Sequence, residues 1–199
     1  MTEEAETERQ DPPHWVLWKA LTGDGDRSQA DRASRALLRR LNLREGPGGP
    51  EIDVAALLRV KPFRDYMRRL GIDPRRGDLK EWEVQRLACL AVAASAIAAV
   101  EENDPALSFG RALAATTGEG APPALAESRI KGLLRAETPE QLLPHARRAV
   151  RLIGRTVDVD SLGQTIAYWC DAKHGPRVRR TLALDYWGAI DAPADAAIA

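Results

Sequence analysis

The stretch "LACLAVAASAIAAV", residues 87–100, decides the fold. It is apolar on every side of a helix and rich in alanine, the strongest helix former. Its 14 residues fall short of the roughly 20 that a membrane-spanning helix needs. A helix that is apolar all round must therefore be buried inside protein. Its small side chains allow neighbouring helices to approach closely. We expect it to be the central core helix, running from about Leu79 to Glu102.

Working outward, the chain keeps a helical pattern. "HWVLWKAL" reads as a short helix with Trp15 and Trp18 on one side, and "TGDGD" breaks it with Asp26 or Ser28 as the next cap. "SQADRASRALLRRLN" sets Ala30, Ala33, Leu37 and Leu41 on one face and Arg32, Arg35 and Arg39 roughly opposite, with Arg40 at the flank. "REGPGGP" ends it. A helix over about 52–70, disturbed near Pro62, is followed by the loop "GIDPRRGD". Beyond the core helix, "DPALSFGRALAATT" is a short helix, and "GEGAPP" is the best place for a boundary. Four more helices follow at about 124–136, 139–154, 159–173 and 176–188, the third capped by Asp160 or Ser161. The fold class expected is all-α, eight to nine helices in two small bundle-like lobes, 14–117 and 118–190. A disordered acidic leader, 1–13, and a loose tail, 191–199, flank them. The sparse Val, Ile, Thr and aromatic residues agree with an all-helical fold.

Formal net charge is zero over 199 residues, but its distribution is uneven. Residues 1–11 carry a net of −4, leaving +4 for the remainder. Of the 29 basic residues, 24 are Arg, the side chain suited to bidentate phosphate contacts. In "HARRAVRLIGR", residues 145–155, Arg147, Arg148, Arg151 and Arg155 fall within about a quarter of a helix circumference, with no acid in the stretch. Ala146, Ala149, Val150 and Ile153 lie opposite. Arg177, Arg179 and Arg180 form a third basic cluster. One such stripe is an ordinary solvated face. Three acid-poor stripes on separate helices point to a polyanion with regularly spaced phosphates.

Motifs of catalysis do not appear: no G-x-S-x-G, no Walker loop, no H-E-x-x-H. Cys170 and His174 are spaced as two ligands on a helix face, yet a zinc site needs about four. "DGDRSQADRASR" starts like a calcium loop, then places Gln29 where the turn glycine belongs and Arg35 where the bidentate Glu belongs. Neither metal nor cofactor is expected. "EEND", 101–104, reads as a helix end with no partner implied. Trp82, Trp169 and Trp187 are expected in the core or between lobes. With only Cys89 and Cys170 and no signal-like segment, a reduced, cytoplasmic setting is expected.

Several stretches, in order, carry a family likeness. They are "GDRSQADRASRALLRR", "LSFGRALAAT", "SRIKGLLRAETPEQLLPHARRAVRLI" and "VDVDSLGQTIAYWCDAKHGPRVRRTLALDYWG". Together they span about 20–188, and the chain resembles the CasB family, small subunits of the type I-E CRISPR surveillance complex, Cascade. Leu182 stands where the family often has Trp, an apolar exchange. The resemblance implies a non-catalytic helical subunit, two copies per complex. Its neighbours would be the backbone, large and crRNA-processing subunits, with crRNA and target DNA as nucleic-acid partners. Such subunits steady the R-loop by gripping backbone without reading bases. The matched basic positions are Arg32, Arg35, Arg39 and Arg40; Arg129, Lys131, Arg135, Arg147, Arg148 and Arg151; and Arg177, Arg179 and Arg180. A helix-turn-helix regulator would also be helical and basic, and would instead show a dimer footprint on a defined operator.

Overall fold

The computed structural model describes residues 11–23, 30–46, 49–51, 53–73, 80–116 and 121–191. The predicted leader up to residue 10, the tail from 192, the caps Asp26 and Ser28, and the lobe boundary at 117/118 lie outside them. Among the described residues there are ten helices and one short antiparallel ribbon. The all-α expectation holds, with one helix more than the upper figure.

Helix α1 (Pro13–Thr22) begins on Pro13, whose missing N–H costs nothing in a first turn. It ends at Gly23, held at φ 79° with its amide bonded to Lys19 O. Trp15 and Trp18 stack at 5.0 Å. Helix α2 (Arg32–Arg39) is capped by Asp31, whose carboxylate accepts from Ser34 N at 2.8 Å. "REGPGGP" does more than stop α2: β1 (Arg44–Gly46) pairs antiparallel with β2 (Gly49–Glu51). The single helix predicted over 52–70 is two, α3 (Val54–Arg59) and α4 (Lys61–Arg69), separated by extended Val60. Pro62 cannot donate to the carbonyl of Leu58, so a continuous helix would leave it unpaired. The Arg64 guanidinium donates to that carbonyl instead.

Helix α5 (Glu81–Ile97) fulfils the reading of the Ala-rich run: every residue from Leu87 to Ala98 is buried. Glu83 closes its first turn by accepting from Lys80 N at 2.9 Å. Around it pack α1, α2, α8 (Pro139–Leu152) and α9 (Val159–Ala167). The cap of α9 is Asp158, not Asp160 or Ser161. Ser161 Oγ accepts the amide of Phe109 at 3.0 Å, tying α9 to the start of α6 (Phe109–Ala114). Helix α6 seats on α10 (Gly175–Asp191), where a β-carbon on Gly110 would collide with Asp185. Helix α7 (Glu127–Leu134) rests on α8.

Of the three tryptophans expected in the core or between lobes, Trp169 is buried and donates to Ala136 O at 2.7 Å. Trp187 is half-buried against Tyr186. Trp82 departs from the expectation: it lies on the first turn of α5 and is 58% exposed. Leu37, assigned to the apolar face of α2, is also exposed, and so is Ala33. The inward residues of α2 are Ser34 and Leu38.

One buried polar contact makes stability depend on pH. His14 on α1 is buried, with Nδ1 and the Tyr66 hydroxyl hydrogen-bonded at 2.8 Å. Gly163 of α9 leaves just enough room for the ring. Burial pushes His14 from 6.5 down to about 4. The unfolded chain therefore takes up this proton first, and stability falls as pH drops from 6.5 through 4, by about 3 kcal/mol in all. Asp160 acts in the opposite sense. Burial, with Asp158 beside it, raises it to about 6, so its folded form gains a proton before the unfolded chain does. Being half-exposed, it offsets only part of the loss. Melting temperature should thus fall steeply below pH 6.5, and the slope should flatten in His14→Gln. Parallel profiles for the two proteins would refute the assignment.

Candidate nucleic-acid interface

The last turn of a helix presents carbonyls without intrahelical partners and about half a negative charge. At the end of α5 these carbonyls have drawn in arginines from α2. Arg35 donates through Nε to Ala98 O at 2.9 Å and through Nη2 to Val100 O at 2.8 Å. Arg39 donates through Nε to Ala98 O at 2.8 Å. Both thus turn inward from the face on which α2 was expected to leave them free. Each uses one edge of a flat, five-donor guanidinium and keeps the other for another acceptor.

The second predicted stripe arrives from α8. Ala146, Ala149 and Val150 are buried, as the sequence pattern requires. Arg147 reaches across the end of α5 to the end of α2. It donates through Nε to Ser95 Oγ at 2.9 Å and through Nη2 to Leu41 O at 2.6 Å and Leu38 O at 3.3 Å. Arg148 and Arg151 are exposed, and among the described residues neither has a carboxylate partner. Arg155 is not on the helix. The chain turns out of α8 through Gly154 at φ 71° and Arg155 at φ 64°, and the Arg155 guanidinium meets Glu101.

The stripe is therefore not purely cationic, and "EEND" does have partners. Glu101 pairs with Arg155 and lies 3.9 Å from Arg39. Asn103 Oδ1 accepts from Val159 N at 2.8 Å. The backbone joins the same two segments: Glu101 N donates to Arg155 O at 2.9 Å, and Val157 N to Glu102 O at 3.3 Å. No local pattern could reveal this, because Glu101 and Arg155 are 54 residues apart.

Two of the three predicted clusters thus meet around one helix end. Arg39, Ser95, Ala99, Arg147, Arg151 and Arg155 line a depression of about 350 Å³. It shares Arg39 with a larger one of about 1050 Å³, whose walls include Arg32, Arg35, Arg40, Trp18 and Glu101. Burial, then the nearby charges of Arg39 and Arg155, lower Arg35 from its ordinary value, while Glu101 opposes them. Burial and Arg151 do the same to Arg147. Both remain protonated near neutrality. Five guanidiniums (35, 39, 147, 151 and 155) face one carboxylate, and the helix end supplies only about half a charge more. The surplus is positive.

The other predicted residues lie apart from this depression. Arg177 and Arg180 are exposed on the first turns of α10. Arg179 is half-buried, donating to Gly175 O at 3.4 Å, and its charge acts on Cys170. Arg129 and Arg135 are exposed at α7, and Lys131 pairs with Glu127 at 2.6 Å. Among the described residues no group of three or more His, Cys, Asp or Glu could hold a metal ion. His174 bonds to Asp171 at 2.9 Å, while Cys170 lines a cavity with Cys89. Nor is any described helix long and apolar enough to cross a membrane.

Fold and site together define an all-helical protein whose buried apolar helix ends in an arginine-lined depression. The family model of CRISPR-associated protein Cse2 matches residues 34–187, and the chain belongs to that family. The crystal structure of a Cse2-family CRISPR-associated protein from Thermus thermophilus is similar, with a TM-score of 0.53 at 21% identity. The match covers 89% of this chain and 99% of that one, and at this identity it speaks to the fold. A search of curated proteins found no match.

Proposed function

We propose that this chain is a CasB-type small subunit of type I-E Cascade. In this role it is non-catalytic, cytoplasmic, and grips the sugar-phosphate backbone of an R-loop without reading bases. Family membership supports the assembly. The observation that carries the binding role is the meeting of Arg39, Arg147, Arg151 and Arg155 at the end of α5. Guide–target pairing reads sequence in such complexes and R-loop formation is nearly balanced, so modest backbone contacts suffice to tip it. Arginine on rigid helices offers those contacts to displaced DNA or to the crRNA–target duplex, and can also stack on exposed bases. Arg177, Arg180, Arg129 and Arg135 are open to a second strand, a neighbouring subunit or a second copy of the chain.

The test is purification of the tagged chain from cells that carry its CRISPR array and companion proteins. The expected result is co-purification of backbone, large and crRNA-processing subunits with an RNA of guide length. Recovery of the chain free of both would overturn the reading.

A further inference from the structure

The two cysteines lie 81 positions apart in the chain, yet they meet. Cys89, in the middle of α5, is 1% exposed. Cys170 stands in the turn between α9 and α10, half-buried. The two thiols are close enough for each to act on the other's acidity. Both line a cavity of about 310 Å³ whose rim carries exposed Trp82 and Lys173 and half-buried Arg86. Of the two residues lining that cavity, Cys170 is the more exposed to a small oxidant.

The surroundings also divide the labour between the two sulfurs. The neighbouring Cys170, together with burial, pushes the Cys89 thiol well up. At Cys170 the neighbouring Cys89, then Arg179 and Gln85, pull the thiol down despite burial. The more acidic sulfur faces the opening, as a reactive cysteine requires, and its partner is placed to resolve what forms there.

We propose that Cys170 and Cys89 are a peroxide-responsive dithiol that closes into a reversible disulfide, stapling the middle of α5 to the α9–α10 turn. The co-reactant is a hydroperoxide, with hydrogen peroxide as the simplest. The Cys170 thiolate attacks one peroxide oxygen; the O–O bond breaks, and the leaving hydroxide takes up the proton that Cys170 released, as water. Cys170 is then a sulfenic acid. Cys89 sulfur attacks Cys170 sulfur, the S–O bond breaks, and the hydroxide leaves with the Cys89 proton as a second water. Two thiols and one peroxide give one disulfide and two waters.

The experiment treats the reduced full chain with equimolar hydrogen peroxide and measures intact mass and thiol content. Expected are loss of two hydrogens, loss of both free thiols, a peptide pair joining Cys89 to Cys170, and full reversal by dithiothreitol. The oxidised form should melt higher by roughly 10 °C, because the bond closes a loop of about 80 residues. Cys89→Ser should halt at a Cys170 sulfenic acid that dimedone traps, and Cys170→Ser should give neither adduct nor crosslink. Circular dichroism identifies any variant that fails to fold, in which case alanine at the same position replaces serine. A wild-type chain that gains oxygen without joining the two peptides, crosslinks only between molecules, or stays reduced overturns the proposal.

Discussion

Replacing Arg147 with alanine should lower the unfolding free energy by about 2–3 kcal/mol and the melting temperature by roughly 5–10 °C. The cause is architectural. Arg147 binds Ser95 Oγ on α5 and the carbonyls of Leu38 and Leu41 at the end of α2. One side chain therefore joins three helices. Ser95 is fully buried, and truncation leaves its hydroxyl with no partner among the described residues. Hydrogen bonds from a charged donor are worth about 1.5–3 kcal/mol each, and partial exposure of the guanidinium reduces their combined effect. Lysine cannot restore them, having no planar fork to span a hydroxyl and two carbonyls. Thermal denaturation checks this, with Arg148→Ala as the comparison, expected within about 0.5 kcal/mol of the parent. If the two variants melt alike, Arg147 has no special structural role.

Reversing Arg148 and Arg151 together to glutamate should weaken binding of single-stranded oligonucleotides by roughly 30–100-fold at low salt. The slope of log affinity against log salt should become shallower by about 1.4, the value for two lost phosphate contacts on a single strand. Both side chains are exposed and neither has a carboxylate partner among the described residues, so the melting temperature should hardly move. Glu101→Gln supplies the opposite sign. It removes the carboxylate that competes for Arg155 and Arg39, so affinity should rise. Fluorescence anisotropy across a salt titration measures all three proteins. Equal affinities and slopes would dismiss this depression as a phosphate site, whatever complex the chain joins.

The contrast between Arg147 and Arg148 shows where sequence reasoning stops. Periodicity found α5 because an all-apolar helix can only be buried, and found the buried face of α8. It misplaced the faces of α2. Ala33 and Leu37 look apolar enough for a core, but Ser34 and Leu38 point inward, bringing Arg35 and Arg39 onto the unpaired carbonyls of α5. That attraction comes from a helix end about 60 residues away, and no residue pattern within α2 encodes it. Pro62 announced a disturbance; that it becomes a full break depends on extended Val60 and on Arg64 reaching back to Leu58. Trp82 looked like core by its chemistry and is exposed by its place at a helix start. Glu101 with Arg155, and Cys89 with Cys170, are joined only by tertiary folding.

Arg35, Arg39 and Arg147 each have one guanidinium edge fastened to main-chain carbonyls or a buried hydroxyl. A free arginine side chain gives up about 1.5–2 kcal/mol of rotational freedom when it is immobilised. Here that loss accompanies folding instead of anion capture. Contacts made by the outward edges would therefore form quickly and with little entropic resistance. By the same token, fraying of the final turn of α5 would slacken all three cations together.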